Sequence, residues 1–184
     1  MSNTDYLMPI QYLFEYTDVP SEILYRKNDE ALRTKGMNQL QSEKRPSLLC
    51  VGIGTYKTRK DGEIYLCILI SPDSREILSY SLGVYRSPEL VARALDILFQ
   101  NGKFPLSLRS SRNPIYQKKE YEQILARYEV FQEMTEKGTC GGVSAVSTFF
   151  SLLMRKKGRL MFQSWQEAID WLEEYINRYN SSRV

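Results

Sequence analysis

The residue types that could do chemistry in this chain are constrained first by an absence: it contains no histidine. That removes a Ser-His-Asp triad, a Cys-His dyad, histidine-ligated zinc and any imidazole general base. Catalysis would fall to carboxylates, Lys, Tyr, Cys or Ser. Cys140 lies in a glycine-rich run (GTCGG, 138–142) ahead of an expected helix, a setting in which the helix dipole lowers a thiol pKa. With no imidazole as its base, it reads better as a small loop residue. The run is not a phosphate-binding Walker loop either, because no Lys-Ser/Thr follows. Asp61, Glu63 and Asp73 fall at turn or strand-edge spacing and read as solvated turn residues rather than a metal site. Cys50, Cys67 and Cys140 are too widely spaced for a disulfide framework or a zinc pattern. No cofactor is expected.

The other chemistry on offer is positive charge. Net charge is +3 over 184 residues. Residues 106–159 hold ten Lys/Arg against five Asp/Glu, whereas 1–44 and 160–184 are each net −2. Three basic groups stand out. Lys57, Arg59 and Lys60 sit on a turn after an apolar run. Arg109, Arg112, Lys118 and Lys119 follow in the middle of the chain. Arg155, Lys156 and Lys157, with Arg159, end a helix. Phosphate contact is one reading of these groups. Solvated lysines and the preference of cations for helix C-termini are the other.

These residues need a framework, and the hydrophobic pattern outlines one. Residues 6–27 carry the pattern of two short helices, and 28–47 are polar and read as a linker. Leu48–Tyr56, Glu63–Ser71 and Glu76–Val84 are three apolar runs separated by Asp61-Gly62 and Pro72-Asp73-Ser74, the signature of an antiparallel meander. Ser87-Pro88 then opens a helix, with Ser87 as N-cap and an apolar stripe of Leu90, Val91, Ala94, Leu95 and Leu98. A fourth strand is expected over Phe104–Ser110, a helix over Lys118–Ala126 and a fifth strand over Tyr128–Gln132. A helix follows over Val143–Met154. Ser164-Trp165-Gln166-Glu167 is a capping box that opens a final helix. No run of eighteen apolar residues is present, so no membrane partner is expected. The acidic N-terminus lacks a secretory pattern, so a reduced, cytoplasmic setting is expected.

This order of elements is that of a ribonuclease-H-like fold, and the motifs sharpen it. Ile53-Gly54-Thr55-Tyr56, Gly62 and Tyr65-Leu66 are similar to D-I-T-Y, a turn glycine and Y-L. Ser74-Arg75-Glu76-Ile77 resembles S-R-x-I. Arg109-Ser110-Ser111, Tyr116 and Glu120-Tyr121 resemble H-S-D, Y and E-Y. Lys137-Gly138-Thr139-Cys140 through Ser147-Thr148-Phe149-Phe150 resembles K-G-x-C-x-D-N with E-S-F-F. Tyr175-Ile176, Tyr179-Asn180 and Arg183 resemble a closing Y-N-x-x-R helix. Together these resemble the integrase-core transposases of bacterial insertion sequences, a DDE branch related to retroviral integrases. The likeness covers about 38–184, so the chain divides as an N-terminal extension and linker, 1–37, and an integrase-core-like domain, 38–184. It implies an α/β fold with a five-stranded mixed sheet flanked by helices. Pro9-Ile10 through Tyr25 resembles the family's helical lead, with the helix-turn-helix that normally follows shortened.

The departures from the family carry the functional expectation. In such transposases three carboxylates hold two magnesium ions for attack on a phosphodiester. The matching positions here are Ile53, Ser111 and Ser147, with thirty-five residues between the last two, as in the family motif. Isoleucine has no ligand atom and serine offers a neutral hydroxyl. The family histidine is Arg109 and the asparagine is Val143. The resemblance thus implies a degenerate, catalytically inactive transposase without bound metal. On it, the three basic groups would face DNA and bind it weakly with little sequence preference, or serve a regulatory role. A protein-interaction module, oligomerising or regulating a partner on the same scaffold, is the alternative.

Overall fold

The computed structural model describes residues 48–135 and 144–182, all within the unit Arg45–Val184. The expected N-terminal helices, the linker, the 37/38 boundary, the glycine-rich run with Cys140, Val143 and the closing Arg183 lie outside the described residues. Strands β1 (Leu48–Lys57), β2 (Glu63–Ile70) and β3 (Ile77–Gly83) form the meander. Helix α1 (Glu89–Gln100) leads to β4 (Ser107–Ser110), which pairs in parallel with β1. Helix α2 (Lys119–Arg127) leads to β5 (Phe131–Met134), which is parallel to β4. Helices α3 (Ser144–Lys157) and α4 (Trp165–Ser181) follow. The sheet order is β3-β2-β1-β4-β5, so β1 is central and the sheet is mixed, as the resemblance implies.

Alternation along the strands divides the core in two. Leu49 and Val51 of β1 and Cys67 and Leu69 of β2 face α1 and α2, where Leu90, Leu95, Leu98, Tyr121 and Leu125 are fully or almost fully buried. The other face of β1 carries Gly52 and Gly54, which lie against Val146 and Phe150 of α3. Because helices cover both faces, β2 is a continuous apolar run, with Ile64 and Leu66 through Ile70 solvent-free. On the edge strand β3, Ser79 and Ser81 donate to the α1 carbonyls of Ala94 and Leu90, which ties the edge to the helix.

Four local expectations are corrected and one further element appears. Pro88, not Ser87, occupies the N-cap position of α1; no side chain caps it, and Ser87 contributes its carbonyl to Leu90 N–H. The fourth strand is only Ser107–Ser110. The fifth starts at Phe131 because Tyr128 ends α2 and Glu129 takes φ +55°, a left-handed turn that no strand accommodates. A 3-10 turn at Pro114–Gln117 was not anticipated; its signal is Asn113-Pro114, where the Asn113 side chain accepts from Ile115 N–H. The capping box of α4 is half formed. Ser164 Oγ accepts from Glu167 N–H, but the Glu167 carboxylate reaches Gln163 N–H, one residue short of the reciprocal bond.

Candidate nucleic-acid interface

Ile53, Ser111 and Ser147, the positions that the resemblance sets against carboxylates, lie on or just after neighbouring elements: the central strand, the strand beside it and a helix packed on it. Arg109 of β4 pairs with Cys50 of β1. Ser111 follows Arg109 by two residues, and Ile53 follows Cys50 by three. Helix α3 runs alongside β1 in the same direction: Val146 lies over Gly52 and Phe150 over Gly52 and Gly54. A β-carbon on Gly52 would come within 2.3 Å of Val146 Cγ1, and one on Gly54 within 2.5 Å of Phe150 Cε1. The two glycines therefore let α3 approach β1 and place Ser147 beside the middle of the central strand. Ser111 is half-buried and Ser147 exposed. Ile53 is packed against the α1–α2 side of the core, not against α3.

These residues do not fit a two-magnesium site. Ile53 offers no donor atom, and two neutral hydroxyls are poor ligands for a hard dication. Among the described residues no three His, Cys, Asp or Glu side chains gather where they could hold a metal ion. Among the described residues no thiol offers a nucleophile there: Cys50 is buried, which raises its pKa, and burial pushes Cys67 up to about 12.

The basic groups separate into spent and free charges. Arg109 is spent: its Nε and Nη2 donate to Glu133 Oε2 at 3.1 and 2.8 Å, and Glu133 also accepts from Ser107 Oγ. The Ser107 hydroxyl, then Arg109, hold the Glu133 carboxyl below its usual range. Lys157 keeps its charge but is anchored. Its ammonium donates to Leu160 C=O and lies 5.5 Å from the centre of the Phe162 ring, so it closes the turn after α3. Both residues were expected to face DNA; Arg109 is instead paired with Glu133 across the sheet, and Lys157 is half-buried with its ammonium anchored at the end of α3. Arg112 donates from Nε to Thr135 C=O while remaining exposed. Lys57 is 3.7 Å from Glu63 on the surface, a contact of little energetic weight. Arg59, Lys60, Lys118, Lys119, Arg155, Lys156 and Arg159 are exposed.

Two of the three groups are joined in space, although about a hundred residues separate them in sequence. The turn between β1 and β2 is zipped onto the segment before α4. Thr58 bridges Phe162, Arg59 N–H donates to Phe162 C=O and Lys60 N–H to Gln163 C=O. Asp61 Oδ2 then accepts from Trp165 N–H at 2.8 Å, which caps α4 and makes Asp61 a turn residue, as expected. Lys57, Arg59 and Lys60 thus share one end of the molecule with the end of α3. Sequence reasoning missed this junction; the Asp61–Trp165 cap leaves no local signal.

No protein-family model matches the chain. Curated proteins do. It is 31% identical over 126 residues to the protein named as transposase InsK for insertion sequence element IS150 of Escherichia coli (strain K12), covering 66% of this chain and 44% of that protein. It is 26% identical over 151 residues to a 31 kDa protein of insertion element IS600 from Shigella sonnei, covering 80% and 56%. A transposase-like protein of Haemophilus influenzae is 30% identical over 130 residues, covering 67% and 58%. The chain is related to the insertion-sequence transposases. It spans about half the length of these relatives. Solved structures agree on the fold of this transposase-related chain. The catalytic domain of Mos1 mariner transposase superposes with a TM-score of 0.57 at 10% identity, covering 87% of this chain and 83% of that one. A chain of the simian T-cell lymphotropic virus intasome does so at 0.51 and 12% identity, covering 60% and 39%. The five-stranded mixed sheet is that of ribonuclease-H-like transposase and integrase cores.

Proposed function

We propose that this transposase-related protein no longer cuts or joins DNA and instead binds duplex DNA through phosphate contacts, with little sequence preference. The observation that carries the first part is chemical: the elements that would frame a two-metal site bear Ile53, Ser111 and Ser147. Two-metal phosphoryl chemistry requires anionic ligands that these side chains lack. The second part rests on the junction of Lys57, Arg59 and Lys60 with Arg155, Lys156 and Arg159, a cationic end with Arg112, Lys118 and Lys119 farther along the same chain. Phosphate contacts position a protein on DNA without reading bases.

The test has two arms. Incubating the purified chain with duplex DNA and magnesium or manganese should give neither nicking nor strand joining; metal-dependent products would overturn the loss of chemistry. Fluorescence anisotropy against a salt series should give a log–log slope of about −4 to −5, as expected for roughly five phosphate contacts. Affinity should differ little between unrelated sequences. A flat salt dependence would remove the DNA reading.

A second reading has its own observation. Phe131, the first residue of the edge strand β5, is 74% exposed, and Met134 at its other end is 38% exposed. Exposed apolar residues on an edge strand favour a protein contact, which is the oligomerisation or partner-regulating alternative. Absent DNA binding at low salt combined with concentration-dependent self-association would favour it.

A further inference from the structure

The turn joining α3 to α4 has a composition that phosphate contact alone does not explain. The last turn of α3 and the four residues after it, Met154 through Met161, contain four cations, no anion and three large apolar side chains. Met154 is 50% exposed, Leu160 40% and Met161 47%, which makes this stretch home to three of the seven exposed large apolar residues among those described. Isolated exposed apolar residues are ordinary, but contiguous ones mark contact surfaces.

The turn is also braced from both sides by hydrogen bonds. Gly158 adopts φ +53°, and its N–H donates to Met154 C=O. Leu160 N–H donates to Lys157 C=O, and the Lys157 ammonium returns to Leu160 C=O. Immediately after Met161, Phe162 is solvent-free and its carbonyl is zipped to the β1–β2 turn. Leu160 and Met161 are thus exposed on a braced turn, with Arg155, Lys156 and Arg159 close before them in the chain and the backbone of Arg59 and Lys60 tied to Phe162 and Gln163 just after them.

We infer that this turn is a wedge for duplex DNA: Leu160 and Met161 press between base steps while the flanking cations hold the two phosphate rows, bending the helix. The inference rests on the DNA reading above and specifies its surface and mode. Duplex DNA is the occupant the composition favours. It presents apolar base faces between two lines of fixed negative charge, and architectural proteins unstack steps with Leu or Met flanked by Arg and Lys. A protein partner would more often meet Arg without Lys, since lysine is depleted at protein interfaces; here Lys60 and Lys156 stand among the five free flanking cations.

The experiment uses the full chain and a short duplex carrying a fluorophore at each end, with energy transfer reading the bend and anisotropy reading binding. Wild type should bind and raise energy transfer. The double variant L160S/M161S, both at exposed sites, should keep its circular dichroism and its salt slope, weaken binding several-fold and lose the bend. The triple variant R155A/K156A/R159A should instead flatten the slope by about 2 to 3 units, because each lost contact releases about 0.9 counterion fewer. Binding without bending by wild type, or bending that L160S/M161S leaves intact, overturns the wedge while the DNA reading stands. No binding by wild type at low salt overturns both. A loss of self-association in L160S/M161S, seen by sedimentation without DNA and with no change in bending, would assign the patch to protein contact and overturn the wedge.

Discussion

Replacing Gly52 with alanine tests the arrangement on which the whole site depends. The added methyl would lie 2.3 Å from Val146 Cγ1 and 3.0 Å from Phe150 Cε2. Carbon atoms in contact prefer about 3.5 to 4.0 Å, so α3 or its side chains would have to give by more than 1 Å. Val146 is β-branched and buried, which limits its rotamers. Overpacking of this kind costs about 1–3 kcal/mol, and glycine-to-alanine in a strand returns only about 0.5–1 kcal/mol through the unfolded chain. The net expectation is a loss of about 1–2 kcal/mol, read in urea unfolding as a lower midpoint with an unchanged slope. For a domain of this size that is a fall in melting temperature of several degrees. Val146→Ala alone should also destabilise, by leaving a cavity. The two together should be better than their sum, because the new methyl fills the space the valine leaves. A double-mutant cycle measures that coupling. If Gly52→Ala is neutral, or the pair is merely additive, α3 does not rest on Gly52 and Ser147 is not held beside β1.

Further predictions follow from the same geometry. Ile53→Asp should cost about 2–4 kcal/mol without metal, by removing apolar packing and half-burying a carboxylate, whereas Ser111→Asp and Ser147→Glu, at a half-buried and an exposed site, should each stay within about 1 kcal/mol; equal effects at all three in urea unfolding would show that Ile53 is not in the core. Tyr56 is almost wholly buried and its hydroxyl meets no partner among the described residues, so Tyr56→Phe should raise stability by about 1 kcal/mol, and a loss in thermal denaturation would reveal a hidden hydrogen bond. Asn180→Ala should cost about 1–3 kcal/mol and speed amide exchange at Ile77, because the Asn180 amide both accepts from Ile77 N–H and donates to Ile77 C=O. Burial lifts the Asp96 carboxyl above its ordinary value, so its contribution to stability is present below the unfolded pKa and fades as pH rises through the folded one; Asp96→Asn should remove that fall. Glu133, held low by Ser107 and Arg109, contributes above its unfolded pKa and loses that as pH falls through the folded value, so Glu133→Gln should remove an acid-side loss; urea unfolding at pH values from about 3 to 7 checks both signs.

Local patterns and long-range partners differ in how far the residues alone reveal them. The meander and the α1 stripe are legible because their patterns are local: period two for half-buried strands, period 3.6 for a one-sided helix. Leu90, Val91, Ala94, Leu95 and Leu98 are all buried as that stripe requires. The start of β5 was not legible, because a left-handed residue at Glu129 is a backbone state that many sequences can adopt. The basic groups were legible as charges and illegible as partners. Nothing within a few residues of Arg109 indicates that Glu133, on the neighbouring parallel strand, will take its charge. Lys157 is different: Leu160 and Phe162 are close in sequence, but an ammonium turning back onto a carbonyl leaves no compositional trace. Long-range pairing is set by sheet register, and register emerges only once the strands have been ordered.

The motif pieces that match the transposase family in this chain are, by their contacts, of two physical kinds. Arg75 takes φ +58° at the β2–β3 turn, and its carbonyl accepts from the Tyr179 hydroxyl. Ile77, two residues on, is held at both its N–H and its C=O by Asn180. The S-R-x-I piece and the Y-N piece, about a hundred residues apart, are thus one contact, and that contact fastens the last helix to an edge strand. Tyr121, from the E-Y piece, is solvent-free in the α1–α2 core beside Tyr116, their rings 5.3 Å apart. These residues owe their place to folding. On the proposed reading, the positions that would do metal chemistry are the ones that differ, and each residue there suits the fold: an isoleucine that packs, a half-buried serine after a strand, an exposed serine on a helix. A chain altered at random would lose packing residues as readily as ligands. On the proposed reading, the residues that support the scaffold are kept and the ligands are not, which is the pattern expected if the fold itself, and the surface it displays, is what the protein uses.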